Sequence, residues 1–273
     1  MARLHNGKIS IFIFFLLCGV IGCSATAKEG MPAAGVSGDQ PHLPPRVLWA
    51  WQRSEDLSYI NPRDFGVAYL ACHAVLTEDS VLEHWRDQPL HVPPDTVLSP
   101  VLRIDTSRNH AANLSEEQLW KLAKIVGRIS ALPRTAQVQI DFDAVETERP
   151  FYRRLLELVK KENPQIRLSI TALASWCIFD NWIKDLPVAE TVPMLFSLGT
   201  ERAKVLLYFR TCGDFLVTGC CKSLGLSLED EEVNKLMIPK AKERTIAVRF
   251  YVFTKTAWNR KKYQTVRSML SDQ

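Results

Sequence analysis

Eight short runs rich in β-branched and aromatic residues recur from Arg46 onward, separated by stretches able to form helices. They are Arg46 to Trp51, Gly66 to Cys72, Val97 to Asp105, Ala136 to Asp143, Leu168 to Trp176, Thr191 to Leu198, Phe215 to Thr218 and Thr245 to Phe253. Their starts advance by about 28 residues a step, which suits a β/α repeat. Eight such units predict an α/β fold, a (β/α)8 TIM-like barrel. The weak joint lies between strands one and two, where Glu55 to Asp64 holds little helix, so an incomplete barrel stays open there. A doubly wound sheet is the alternative, but no G-x-G or G-x-x-x-x-G-K is present to form its nucleotide loop. Nucleotide sites of those kinds are disfavoured, and no cofactor is expected.

The helices carry their own signals. Ser115 and Gln118 form a capping box, and Leu119, Leu122, Val126 and Ile129 make one apolar stripe in a helix from Ser115 to Leu132. Phe151 to Asn163 is stopped by Pro164, Ser227 is expected to cap an acidic first turn, and Thr256 is expected to open the last helix.

In a barrel strand alternate residues point inward and outward. In strand four, Val138, Ile140 and Phe142 form the apolar outer face, which sends Gln139, Asp141 and Asp143 inward. By the same parity Arg103 and Asp105 of strand three point inward, as do Ser169, Thr171 and Ser175 of strand five and Trp49 and Trp51 of strand one. These polar groups gather toward the C-terminal strand ends, where barrel enzymes keep their chemistry. Asp141 with Arg103 can equally be a satisfied internal ion pair. Asp143 lies nearer the mouth. Trp49, Trp51 and Trp176 are candidates to stack on sugar rings, with core packing as the other reading.

The remaining constellations are weak. All six histidines lie at or before His110, and no H-x-H, H-E-x-x-H or G-x-S-x-G occurs, so no metal site and no serine-histidine triad is expected. The formal charge of +4 falls to +2 when Arg3 and Lys8 of a leader are set aside, too little to predict nucleic acid as a partner.

That leader is the uncharged run Ile9 to Ile21 behind Arg3 and Lys8. As a helix it reaches about 20 Å, short of the roughly 30 Å bilayer core, so it reads as a secretion signal over residues 1–22. Val20-Ile21-Gly22-Cys23 resembles the lipobox of bacterial lipoproteins, which implies acylation of Cys23 and a membrane anchor. By resemblance to the enterobacterial sorting pattern, Ser24 implies the outer membrane, with the protein facing the periplasm. Residues 23–45 read as a flexible tether, and the barrel domain as 46–273. Of the other cysteines, Cys177 is expected to pair with Cys220 or Cys221, while Cys72 and Cys212 have no assigned partner; buried reduced thiols are the alternative.

In this order, RVLWAWQR, QVQIDFDA, FYRRLLELVK, SITALASWC and VPMLFSLG resemble a bacterial family known as domain of unknown function 3142. The resemblance covers nearly all of the chain after the tether and implies a glycosidase-like barrel without an established activity. The Asp-Phe-Asp strand is also similar to the D-x-x-D-x-D-x-E strand of chitinase-type glycosidases, with Asp141 and Asp143 at the second and third acids. Val138 stands at the first acid and Val145 at the catalytic Glu, with Glu146 one residue late. A one-residue shift at a strand end turns a side chain to the other face, which puts chitinase-type substrate-assisted chemistry in question.

Two functions follow as expectations. One is a lipid-anchored envelope protein acting on envelope or exported polysaccharide, using Asp143 as acid or base and Asp105 or Glu146 as its partner. Asp141 and Arg103 would set the charge, and Trp49, Trp51, Ser175 and Trp176 would meet the sugar. The other is a non-catalytic barrel that binds a glycan or a protein.

Overall fold

The structure, a computed structural model, describes residues 42–271, so the leader, Cys23 and most of the tether lie outside the described residues. Among the described residues there are eleven strands: β1 Arg46–Ala50, β2 Glu55–Asp56, β3 Phe65–Thr77, β4 Ser80–Trp85, β5 Leu90–His91, β6 Leu98–Thr106, β7 Val138–Asp141, β8 Leu168–Leu173, β9 Glu190–Met194, β10 Ser223–Ser227 and β11 Arg249–Phe253. β1 pairs in parallel with both β3 and β11, so β1, β3, β6, β7, β8, β9, β10 and β11 close into an eight-stranded parallel ring. β4 folds back antiparallel on β3, and β2 pairs with β5 as a separate two-stranded patch.

Six helices follow barrel strands among the described residues: α1 Glu116–Ser130, α2 Arg149–Glu162, α3 Ala174–Ile178, α4 Arg202–Thr211, α5 Glu231–Lys242 and α6 Arg260–Leu270. The joint between the first two barrel strands indeed holds no helix. The ring closes there all the same, because Arg46 to Ala50 pair residue by residue with Phe65 to Tyr69. Leu57 and Ile60, buried in the outer core, cover the strands where a helix would otherwise lie.

Apolar burial occurs in two layers. Outside the ring, Val138, Ile140 and Phe142 of β7 and its continuation belong to one core with Leu119, Leu122, Val126 and Ile129 of α1 and Tyr152, Leu155 and Leu156 of α2. Inside it, Val47, Trp49, Ala68, Val101, Ala136, Val192 and Tyr251 form a second core. Each large side chain so buried contributes roughly 1.5–3 kcal/mol, which is why strand parity reads the faces correctly. At α1 the capping box forms as its sequence predicts, with Gln118 N donating to Ser115 Oγ at 3.3 Å and Ser115 N to Gln118 Oε1 at 3.0 Å.

Three local expectations are corrected. Phe215 to Thr218 is not a strand; it leads into a 3-10 turn at Thr218–Lys222, and the seventh barrel strand is β10, Ser-Leu-Gly-Leu-Ser. Its small residues hide it from a propensity reading, yet they are what the site demands. A Cβ on Gly225 would lie 3.1 Å from both the Pro193 carbonyl oxygen and the Trp49 ring. The cap of α5 is Asp230, whose side chain accepts from Val233 N, while Ser227 Oγ donates to Glu229 instead. The cap of α6 is Asn259 rather than Thr256, with its side chain accepting from Lys262 N.

Of the two pairings open to Cys177, the disulfide forms with Cys220, at a Cα–Cα distance of 6.0 Å. It ties α3 to the turn before β10. Cys72, Cys212 and Cys221 are free thiols.

Candidate functional site

Arg103 on β6 is in register with His73 on β3 and Asp141 on β7, which places three polar side chains in one row across neighbouring strands. The inward face selected by parity brings three carboxylates, those of Asp105, Asp141 and Asp143, to one guanidinium. Arg103 Nε and Nη2 donate to Asp105 Oδ1 at 3.0 and 2.7 Å. Nη1 lies 2.9 Å from Asp143 Oδ2 and 3.1 Å from Asp141 Oδ2. Sharing one nitrogen, those two oxygens can be no more than about 6 Å apart, the sum of the two contacts.

The three carboxylates differ in environment. Asp141 is sealed, its side chain 6% exposed, and accepts a hydrogen bond from Thr171 Oγ1 at 2.7 Å. Burial pushes its carboxyl above the usual range, outweighing the pull of Arg103 and reinforced by the neighbouring Asp143 charge. Asp105, 42% exposed, is disfavoured as an anion by partial burial, but hydrogen bonds and charge from Arg103 and His73 hold it below the usual range. His73 Nε2 lies 2.8 Å from Asp105 Oδ2. Asp143 is 39% exposed at the mouth. The guanidinium is partly buried, which opposes its charge, yet Asp141, Asp105 and Asp143 together hold it protonated.

Above this cluster lies a cavity of about 260 Å³ at the C-terminal end of the ring. Trp49, Val101 and Gln139 form its buried floor, with Trp49 Nε1 donating to Gln139 Oε1 at 2.9 Å. Trp51, Leu173, Phe196 and Phe253 line its sides, and the last two rings stack at 5.3 Å between centroids.

Of the residues expected in the site, Asp141, Asp143, Arg103, Trp49 and Trp51 line this cavity, and Asp105 joins them through Arg103. Three do not. Trp176 is buried in the outer core, edge-on to Trp182 at 4.9 Å between ring centroids. Ser175 lies in α3, because β8 ends at Leu173 and the inward parity stops with it. Glu146 is exposed on a 3-10 turn that carries it off the strand. The expected sugar platform therefore narrows to Trp49 and Trp51.

Sequence reading missed His73, Phe196 and Phe253. The two phenylalanines were open to the same parity count that found Asp141. His73 was not, because β3 changes register against β6 between Leu70 and Cys72, and a bulge breaks the alternation on which parity depends.

No family model matches the chain, and no curated protein matches it. Among solved structures it is similar to a Streptomyces coelicolor chain described provisionally as Chitinase A, at a TM-score of 0.49 and 9% identity, over 83% of this chain and 96% of that one. The barrel assignment rests on the closed ring of strand pairing itself.

Proposed function

We propose that this chain is a glycan-binding barrel of the glycoside hydrolase type, acting on envelope or exported polysaccharide. The observation that carries it is the convergence of Asp105, Asp141 and Asp143 on Arg103 beneath an aromatic-walled cavity at the C-terminal strand ends. In this reading Asp143 exchanges a proton with the glycosidic oxygen, since it is the exposed acid that lines the cavity. Asp141 and Arg103 set the charge of the site, and Asp105 is the ionised partner beyond the guanidinium. Trp49 and Trp51 present ring faces and edges to the sugar.

The finer parts of the reading rest on sequence. We place the chain with the family known as domain of unknown function 3142, acylated at Cys23 and held at the outer membrane toward the periplasm. Incorporation of labelled palmitate by the wild type and not by Cys23→Ser tests the anchor; equal labelling removes it.

A second reading, binding without turnover, is favoured by two features: Arg103 already engages all three acids, and Glu146 lies outside the cavity. Incubating the full-length protein and Asp143→Asn with a panel of envelope and exported polysaccharides separates the two. Release of reducing ends by the wild type alone supports hydrolysis. Retention of a glycan by both without release supports binding, and no interaction with any glycan defeats both.

A further inference from the structure

The cavity is a pocket rather than a cleft, and its shape restricts how a polymer can enter. Its floor is closed: beneath Trp49, Val101 and Gln139 the ring is filled by Val47, Ala136, Gln137 and Tyr251, all buried. Its sides are contributed by residues on or just beyond six of the eight barrel strands, from Trp51 around through Arg103, Asp143, Leu173 and Phe196 to Phe253. At about 260 Å³ it is smaller than the roughly 300–1,000 Å³ of sites for drug-sized ligands, which leaves room for about one sugar ring.

One side is also walled well above the floor. β3 continues four residues past His73 to Thr77, about 13 Å of strand at 3.3 Å per residue. β6 runs with it to Thr106, and β4 covers its other edge, pairing His84 with His73 and Leu82 with Val75. The face of this three-stranded flap that carries Cys72, Ala74 and Leu76 is buried in the outer core. The opposite face, with His73, His84 and the 49% exposed Leu82, continues the inward face of the ring past the mouth. A polymer running across the opening toward β3 would meet that flap.

We infer that the site takes a glycan end-on, one terminal sugar deep, with the β3–β4–β6 flap as the wall that prevents a chain from crossing the mouth. This rests on the carbohydrate reading above and adds to it the mode of attack: residues are removed from a chain end, not from within. Size discrimination follows from the floor, since a substituent on the terminal ring has only the closed Trp49–Gln139 layer to meet.

The test uses the full-length protein and unlabelled tetrasaccharides of glucose, mannose, N-acetylglucosamine and glucosamine. Binding is read by tryptophan fluorescence and products by size. Any tetrasaccharide that binds is offered again with a bulky group on the non-reducing residue, and separately on the reducing residue. End-on entry predicts that one of these blocks weakens binding by about tenfold or more while the other leaves it nearly unchanged. It also predicts that any turnover shortens the chain by single residues. Binding insensitive to either block, or internal fragments as first products, overturns end-on entry and leaves the carbohydrate reading standing. Failure of all four tetrasaccharides to bind overturns both.

Discussion

Arg103 and Asp141 stand opposite each other on adjacent strands, in register, with Nη1 and Oδ2 3.1 Å apart. The acid is sealed and the guanidinium one-fifth exposed, so the pair sits where desolvation is costly and either partner alone would be worse.

Replacing Arg103 is therefore expected to act first on stability. Arg103→Met leaves a buried carboxylate without its counter-charge, and a loss of about 3–5 kcal/mol is expected by chemical denaturation at neutral pH. Adding Asp141→Asn should restore part of it, since the amide needs no counter-ion and its oxygen can still accept from Thr171. A double variant as unstable as the single one would mean that the pair does not carry this energy.

The two acids on either side of Arg103 should show opposite pH dependence. Asp105 is held below the ordinary value, so its contribution is complete above about pH 3.9 and is lost as pH falls through its folded value. Asp141 is raised, so its contribution is complete below about pH 3.9 and is lost as pH rises through its folded value. Denaturation at stepped pH should show the advantage of wild type over Asp105→Asn shrinking on acidification. Its standing against Asp141→Asn should worsen as pH rises from acid toward neutral. Parallel curves for wild type and either variant would contradict the assignment for that residue.

Gly225→Ala tests why the seventh strand is built of small residues. The added methyl meets a backbone oxygen and the Trp49 ring at 3.1 Å, and neither can yield without moving a barrel strand or the cavity floor. Overpacking of this kind costs about 1–3 kcal/mol. The same substitution should alter tryptophan emission, because it presses on the indole whose Nε1 holds Gln139.

The disulfide closes a span of 43 residues, and the chain-entropy estimate for a loop of that size is about 4 kcal/mol. Cys177→Ser and Cys220→Ser should each lower the midpoint of unfolding, whereas Cys221→Ser should lie within about 0.5 kcal/mol of wild type. Peptide mapping under non-reducing conditions should recover Cys177 linked to Cys220. Recovery of a Cys177–Cys221 peptide would reverse the pairing.

How far the chain could be read from its residues depended on whether the signal was local. Strand parity around Val138 to Asp143 is such a signal. An apolar outer face alternating with polar residues has one low-energy orientation in a closed ring, and it identified Arg103, Asp105, Asp141 and Asp143 together. The capping box at Ser115 is local in the same way. Trp176 and Ser175 were misplaced because β8 ends three residues before Trp176 and the backbone turns into α3, a boundary that no alternation marks.

What the residues settled by themselves was the alternation of strand and helix, the faces of most strands and so the identity of the acid cluster, because each follows from side-chain polarity within a few neighbours. What only the folded chain decided was contact between distant segments: β10 as the seventh stave, admitted by the space Trp49 leaves over Gly225; His73 beside Asp105 across a bulge; Cys220 rather than Cys221 on Cys177; and closure of the ring through β1 and β3 without a helix between them. Each depends on which surfaces meet at van der Waals or hydrogen-bonding distance, and that is a property of the packed ring, not of any stretch of sequence within it.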